Sequence, residues 1–79
     1  MNQTFKGLAL AAYFYALDEL WEDGKRLSIN NAYETIKTRV IDKIVENINF
    51  DLSDEDFTDI NTGVKKAIND YFHKESKNG

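Results

Sequence analysis

The sequence has no cysteine and no proline, and only four of its 79 residues are glycine. Without cysteine there is no disulfide framework, and a single histidine cannot supply a structural zinc site of the usual cysteine and histidine type. With so little proline and glycine, the chain has few points at which a helix must stop. The length permits one domain, which we expect to span residues 1–79.

Other absences limit the chemistry of the chain. No stretch approaches the roughly 20 apolar residues that a membrane-spanning helix needs, and there is no glycine-rich phosphate loop or dinucleotide motif. The only histidine, His73, is predicted to lie on the outward side of the last helix near its end, where it activates no nucleophile. We therefore predict a protein that is not an enzyme and that binds no cofactor, metal or membrane. The lack of cysteine also favours a cytoplasmic location.

Apolar residues recur every three or four positions along almost the whole chain, which predicts an all-α protein. The first helix is expected to begin after Thr4, whose hydroxyl can accept from free backbone N–H groups. It should end before Gly24, which would take the left-handed conformation that follows many helices. The second helix is expected over residues 29–49, with Ser28 or Asn30 as its N-cap.

The third helix has the clearest predicted start. Ser53 is its expected N-cap, and Asp56 stands three residues later, where it can accept from the Ser53 N–H in a capping box. The apolar spacing continues to about His73, after which we expect the tail to fray. Glycine inside a helix costs about 1 kcal/mol, so division into two shorter helices near Gly63 is the alternative. The predicted fold is a compact antiparallel three-helix bundle.

The first helix is apolar on two sides. One broad face carries large side chains such as Leu10, Phe14 and Trp21. A three-helix domain can cover only part of such a helix, so we expect the opposite stripe to contact a partner. This second stripe consists of Phe5, Leu8, Ala12 and Tyr15.

The net charge of −4 is unevenly distributed. Residues 1–24 and 51–79 each carry a net charge of −3, whereas residues 25–50 carry +2. Two groups of acids are candidate contacts for a basic partner, because opposite charge speeds encounter. They are Asp18, Glu19, Glu22 and Asp23 in the first helix, and Asp54, Glu55, Asp56 and Asp59 at the start of the third.

Apolar stripe and acids together predict a small adaptor or inhibitor that binds another protein. A nucleic-acid-handling protein with a basic groove would fit the acids, and pairing of first helices in a homodimer is a further option. The alternative is a helix-turn-helix DNA-binding regulator that uses residues 25–39, because bases and amides gather there. These residues are Lys25, Arg26, Asn30, Asn31, Lys37 and Arg39.

Overall fold

Three helices account for most of the chain. The computed structural model describes the backbone of residues 2–78 and the side chains of residues 8–28 and 30–73. The helices are α1 (Asn2–Asp23), α2 (Ile29–Asn47) and α3 (Asp54–Asn78). A single 3-10 turn, Gly24–Arg26, follows α1 directly and leads into α2. The predicted all-α fold and three-helix bundle are confirmed.

Local polar contacts fix where α2 and α3 begin. Ser28 is the N-cap of α2, and its Oγ accepts from the Asn31 N–H at 3.3 Å. At α3 the Ser53 N–H donates to Asp56 Oδ2 at 2.9 Å, while the Asp56 N–H donates to Ser53 Oγ at 3.1 Å. This reciprocal pair is the predicted capping box. Both helix starts are therefore confirmed.

Three predictions about helix ends are wrong. α1 begins at Asn2, so Thr4 lies within the helix and not before it. Gly24 opens the 3-10 turn, and no glycine in the described part of the chain has a positive φ. α3 is undivided at Gly63 and continues past His73 to Asn78, so the tail expected to fray is helical.

Contacts between side chains give the directions of the helices. Arg39 of α2 binds Asp23, while Lys43, one turn later, lies over the ring of Tyr15, so α2 runs antiparallel to α1. In α3, Gly63 faces Ala12 and Tyr71 faces Trp21, so α3 runs parallel to α1. The core occupies the space between the three facing sides. Its buried residues are Leu8, Ala12, Ala16 and Leu20 of α1, Ala32, Ile36, Val40 and Ile44 of α2, and Ile60, Val64, Ala67, Ile68 and Tyr71 of α3.

Gly63 lies at a close approach between α1 and α3. A Cβ at this position would overlap the carbonyl oxygen of Ala9 and would lie 2.9 Å from the backbone nitrogen of Tyr13 and 3.0 Å from the Ala12 Cβ. Only glycine fits there without separating the two helices. The packing that this contact allows offsets the cost of glycine within a helix, which explains why α3 continues through Gly63.

Candidate partner-binding face of the first helix

The stripe that was expected to contact a partner supplies part of the core. Leu8 and Ala12, which were predicted to form a docking surface, are instead buried in the core. Tyr15 is half-buried and packs against the core, with Lys43 Nζ 5.8 Å from its ring centroid. The side chain of Phe5 lies outside the described residues. The small side of α1 faces inward because alanine lets α3 approach closely, as the contact between Ala12 and Gly63 shows.

The exposed apolar side chains of α1 lie on the side away from the core. Leu10 and Phe14 are each 58% exposed and Trp21 is 68% exposed, while Leu17 between them is half-buried. Spacings of four, three and four residues place all four on one face, over a length of about 16 Å. We call Leu10, Phe14, Leu17 and Trp21 the outer row. Contiguous exposed apolar residues are typical of a contact surface.

Tyr71 of α3 supports the Trp21 end of the outer row. The Tyr71 and Trp21 rings meet edge to face with their centroids 6.0 Å apart, and Phe72 meets Tyr71 in the same way at 5.1 Å. A Cβ on Gly24 would lie 2.8 Å from the Tyr71 ring, so the bare backbone at Gly24 makes room for that ring. The Trp21 side chain is therefore supported at one edge and otherwise open to solvent.

An apolar furrow lies beside the Leu10 end of the outer row. It has a volume of about 320 Å³ and is lined by Ala9, Leu10, Tyr13, Thr62, Gly63 and Lys66. On this flank the Tyr13 hydroxyl donates to Asp70 Oδ2 at 2.7 Å, and Lys66 Nζ lies 3.8 Å from the same oxygen. The hydrogen bond to Asp70 raises the pKa of Tyr13. The charges on this flank are therefore engaged with each other.

Two of the four acids in α1 are bound within the chain. The Glu19 side chain is 13% exposed. Its Oε1 lies 3.1 Å from Arg39 Nη1, and its Oε2 lies 2.9 Å from Lys43 Nζ. Asp23 lies 2.8 Å from Arg39. The hydrogen bond from Lys43 is the main cause of a lowered pKa for Glu19, and the hydrogen bond from Arg39 acts in the same direction. Glu19 and Asp23 thus connect α1 to α2.

The other two acids of α1, Asp18 and Glu22, are exposed. Neither has an ion-pair partner among the side chains that the structure describes. The pKa of Lys43 is raised mainly by its bond to Glu19, and Asp18 and Glu22 add to this only through space. Helix geometry places Asp18 one turn beyond Phe14, and Glu22 one turn beyond Asp18. Both acids therefore stand along one edge of the outer row, where a partner can reach them.

The predicted acids of α3 have separate environments. Asp56, which was predicted to contact a partner, is 8% exposed and bound in the capping box. Asp54 and Glu55 are exposed in the first turn, where they interact favourably with the helix N-terminus. Asp59 is half-buried, and its Oδ2 is buried without a hydrogen-bond partner among the described atoms.

The basic surface of the DNA-binding alternative is partly engaged within the chain. Lys25 and Arg26 are exposed in the 3-10 turn. Lys37 lies 3.5 Å from Glu34 and 4.9 Å from the centroid of the Tyr33 ring. Arg39 points toward α1, where hydrogen bonds to Asp23 and then Glu19 raise its pKa.

The sequence places Leu10, Phe14 and Trp21 on one face of the first helix, but the prediction assigned the opposite stripe to the partner. The signal was present, because large apolar residues spaced by four, three and four are typical of a helix that contacts another helix on that side. It was hidden because α1 is apolar on both sides, and hydrophobicity alone does not distinguish the side that faces the core. The size of the side chains decides which side faces the core, since the side of α1 with small residues packs against Gly63.

Comparisons with known protein families, with curated proteins and with solved structures give no significant match. Within the described part of the chain, no helix combines the length and hydrophobicity needed to cross a bilayer. Among the same residues, no three side chains of metal-ligating type come together.

Proposed function

We propose that this chain is a non-enzymatic protein-binding module that contacts another protein through the outer row of α1. The observation that carries the proposal is the exposure of Leu10, Phe14 and Trp21, each more than half exposed on one face of one helix. When another surface removes such apolar side chains from water, the contact is stabilised by about 25 cal/mol for each Å² that is buried. A module of this kind acts by occupying the surface of its partner, as an adaptor or an inhibitor does.

The other exposed apolar residues support the choice of α1. Val45 lies on α2, Phe50 lies in the connection before α3, and Phe57 lies on α3. They belong to three different segments, and single exposed apolar residues are normal on protein surfaces. Among the described side chains, only the outer row places three exposed large apolar residues on one face of one helix, where Tyr71 packs against Trp21.

The test is affinity capture with the full-length chain in the cells that produce it. Three baits are compared. They are the unchanged chain, an outer-row double variant (Phe14→Ala with Trp21→Ala) and a control double variant (Val45→Ala with Phe50→Ala). The second pair of changes is a matched control, because it also removes two exposed apolar side chains. We expect the control to retain the captured protein and the outer-row variant to lose it, since a few buried aromatic residues carry most of the energy of an interface. Equal capture by all three baits would refute the proposal.

A further inference from the structure

Resting on the proposed function, we infer that the partner contributes a basic amphipathic α-helix, which lies along the outer row of α1. Three observations support this helix, which are the spacing of the outer row, the acids along one edge that have no ion-pair partner among the described side chains, and the absence of bases from Gly7 to Asp23. Together they indicate the shape, the charge and the source of the contacting element.

The spacing of the outer row fits a helix better than a strand or a loop. Leu10, Phe14, Leu17 and Trp21 follow one another at four, three and four residues, which is the spacing of the contact positions where two helices pack side by side. Knobs from a second helix enter holes between such residues. The furrow of about 320 Å³ between α1 and α3 offers an apolar recess beside Leu10 for one of these side chains.

The edge of the outer row selects for positive charge. Positions that flank a helix–helix contact set the choice of partner through their charges. Asp18 directly flanks the row, and Glu22 lies one position further out on the same side; both are exposed and have no ion-pair partner among the described side chains. Lysine or arginine on the incoming helix would pair with both. On the opposite edge Asp70 already has Lys66 as an ion-pair partner, so that edge does not favour a further base in the same way.

The α1 helix of a second copy of this chain would not supply the missing charge. From Gly7 to Asp23 the sequence contains four acids and no base. A second α1 laid against the outer row would therefore bring more acids to this surface, and like charges at a contact disfavour the wrong partner. A second α1 is therefore not this basic helix, which we assign to a different protein.

The test uses two synthetic helical peptides, each about three heptads long, with leucine at the contact positions. One peptide carries lysine at the flanking positions and the other carries glutamate, so both edges are charged whichever way the peptide lies. Binding to the full chain is followed by the fluorescence of Trp21, the only tryptophan. In about 50 mM salt we expect the lysine peptide to bind at least about tenfold more tightly than the glutamate peptide.

The decisive variant is Asp18→Lys with Glu22→Lys, for which we expect the preference to reverse in favour of the glutamate peptide. Its matched control is Asp42→Lys with Glu46→Lys, because these two acids are also exposed and four residues apart, but lie on α2. Both variants change the net charge equally, so only a local effect separates them. We expect the control to keep the preference for the lysine peptide. Identical behaviour of the two variants would overturn the inference.

Two further outcomes separate this inference from the proposed function. If the unchanged chain binds neither peptide while capture in cells still depends on Phe14 and Trp21, the basic helix is wrong and the outer-row contact stands. If light scattering shows a dimer of about twice 9.1 kDa that dissociates on Phe14→Ala with Trp21→Ala, a second copy covers the row and the inference is overturned. Loss of capture selectivity would instead refute the proposed function itself.

Discussion

Glu19 and Glu22 lie three residues apart on α1, yet among the described side chains only Glu19 of the two forms ion pairs with bases. The pKa of Glu19 is lowered because Lys43 and Arg39 stabilise its charged form. A group whose pKa is lower in the folded than in the unfolded chain stabilises the fold above its ordinary pKa. That stability is lost as the pH falls through the lowered value. Glu19 therefore contributes to stability at neutral pH and ceases to do so in acid.

We predict that Glu19→Gln lowers the free energy of unfolding at neutral pH by about 1–2 kcal/mol, because Arg39 and Lys43 lose a charged acceptor. Urea unfolding at neutral pH and at a pH below the lowered pKa of Glu19, which itself lies under the ordinary 4.5, measures the effect. In acid the difference from the unchanged chain should disappear, since protonated Glu19 is as neutral as glutamine. The control is Glu22→Gln, which should leave stability unchanged at both pH values. A deficit for Glu19→Gln that persists in acid would contradict the assignment.

Helices α1 and α3 pack closely because Gly63 has no side chain. A Cβ there would meet the backbone of Ala9 and Tyr13, which cannot move aside as a flexible side chain can. Helix propensity alone predicts that alanine at this position would stabilise α3 by about 1 kcal/mol. The packing predicts the opposite sign.

We predict that Gly63→Ala destabilises the fold by about 2–3 kcal/mol, since the added methyl forces α1 away from α3. Thermal or urea unfolding measures the change. The control is Thr62→Ala, an exposed neighbour in the same helix, which should change stability by no more than about 0.5 kcal/mol. Adding Ala9→Gly should not restore Gly63→Ala, because the overlap involves the Ala9 carbonyl oxygen and not its side chain. A stabilised Gly63→Ala chain would show that the contact is not as close as described.

The helices themselves were predictable from the sequence, whereas the side that each presents to the core was only partly so. Ser28 and the Ser53 and Asp56 pair mark helix starts through local hydrogen bonds, which short-range sequence patterns encode. The orientation of α1 depends on residues more than 50 positions away, because Gly63 accepts only the small side. From the sequence alone, a large exposed residue such as Trp21 cannot be distinguished from a core residue, because the position of α3 decides which side of α1 is buried.

The whole molecule is a rod of 42 × 21 × 17 Å with a net charge of −4. Two exposed bases, Lys25 and Arg26, lie in the 3-10 turn that follows α1, while Arg39 is held by Glu19 and Asp23. A DNA-binding protein needs several free bases on one face, since phosphate contacts supply most of the affinity. The balance of charge favours a protein partner over a nucleic acid.

We predict that the chain does not bind mixed-sequence duplex DNA at physiological salt, as judged by fluorescence anisotropy of labelled DNA. The DNA-binding alternative makes the opposite prediction, with binding that weakens on Lys25→Ala with Arg26→Ala and with rising salt. Arg39→Ala is not a clean probe of this alternative, because it also breaks the contact between α1 and α2. Salt-dependent binding that requires Lys25 and Arg26 would favour the regulator.

The central claim is that another protein covers the outer row, and site-specific photo-crosslinking tests it most directly. The photoreactive amino acid p-benzoylphenylalanine replaces Phe14 in the full chain, in the cells that produce it, and Thr38 on the exposed side of α2 serves as the control position. We predict a discrete adduct with a second, different protein from position 14 and none from position 38. No adduct from position 14, or the same adducts from both positions, would contradict the claim.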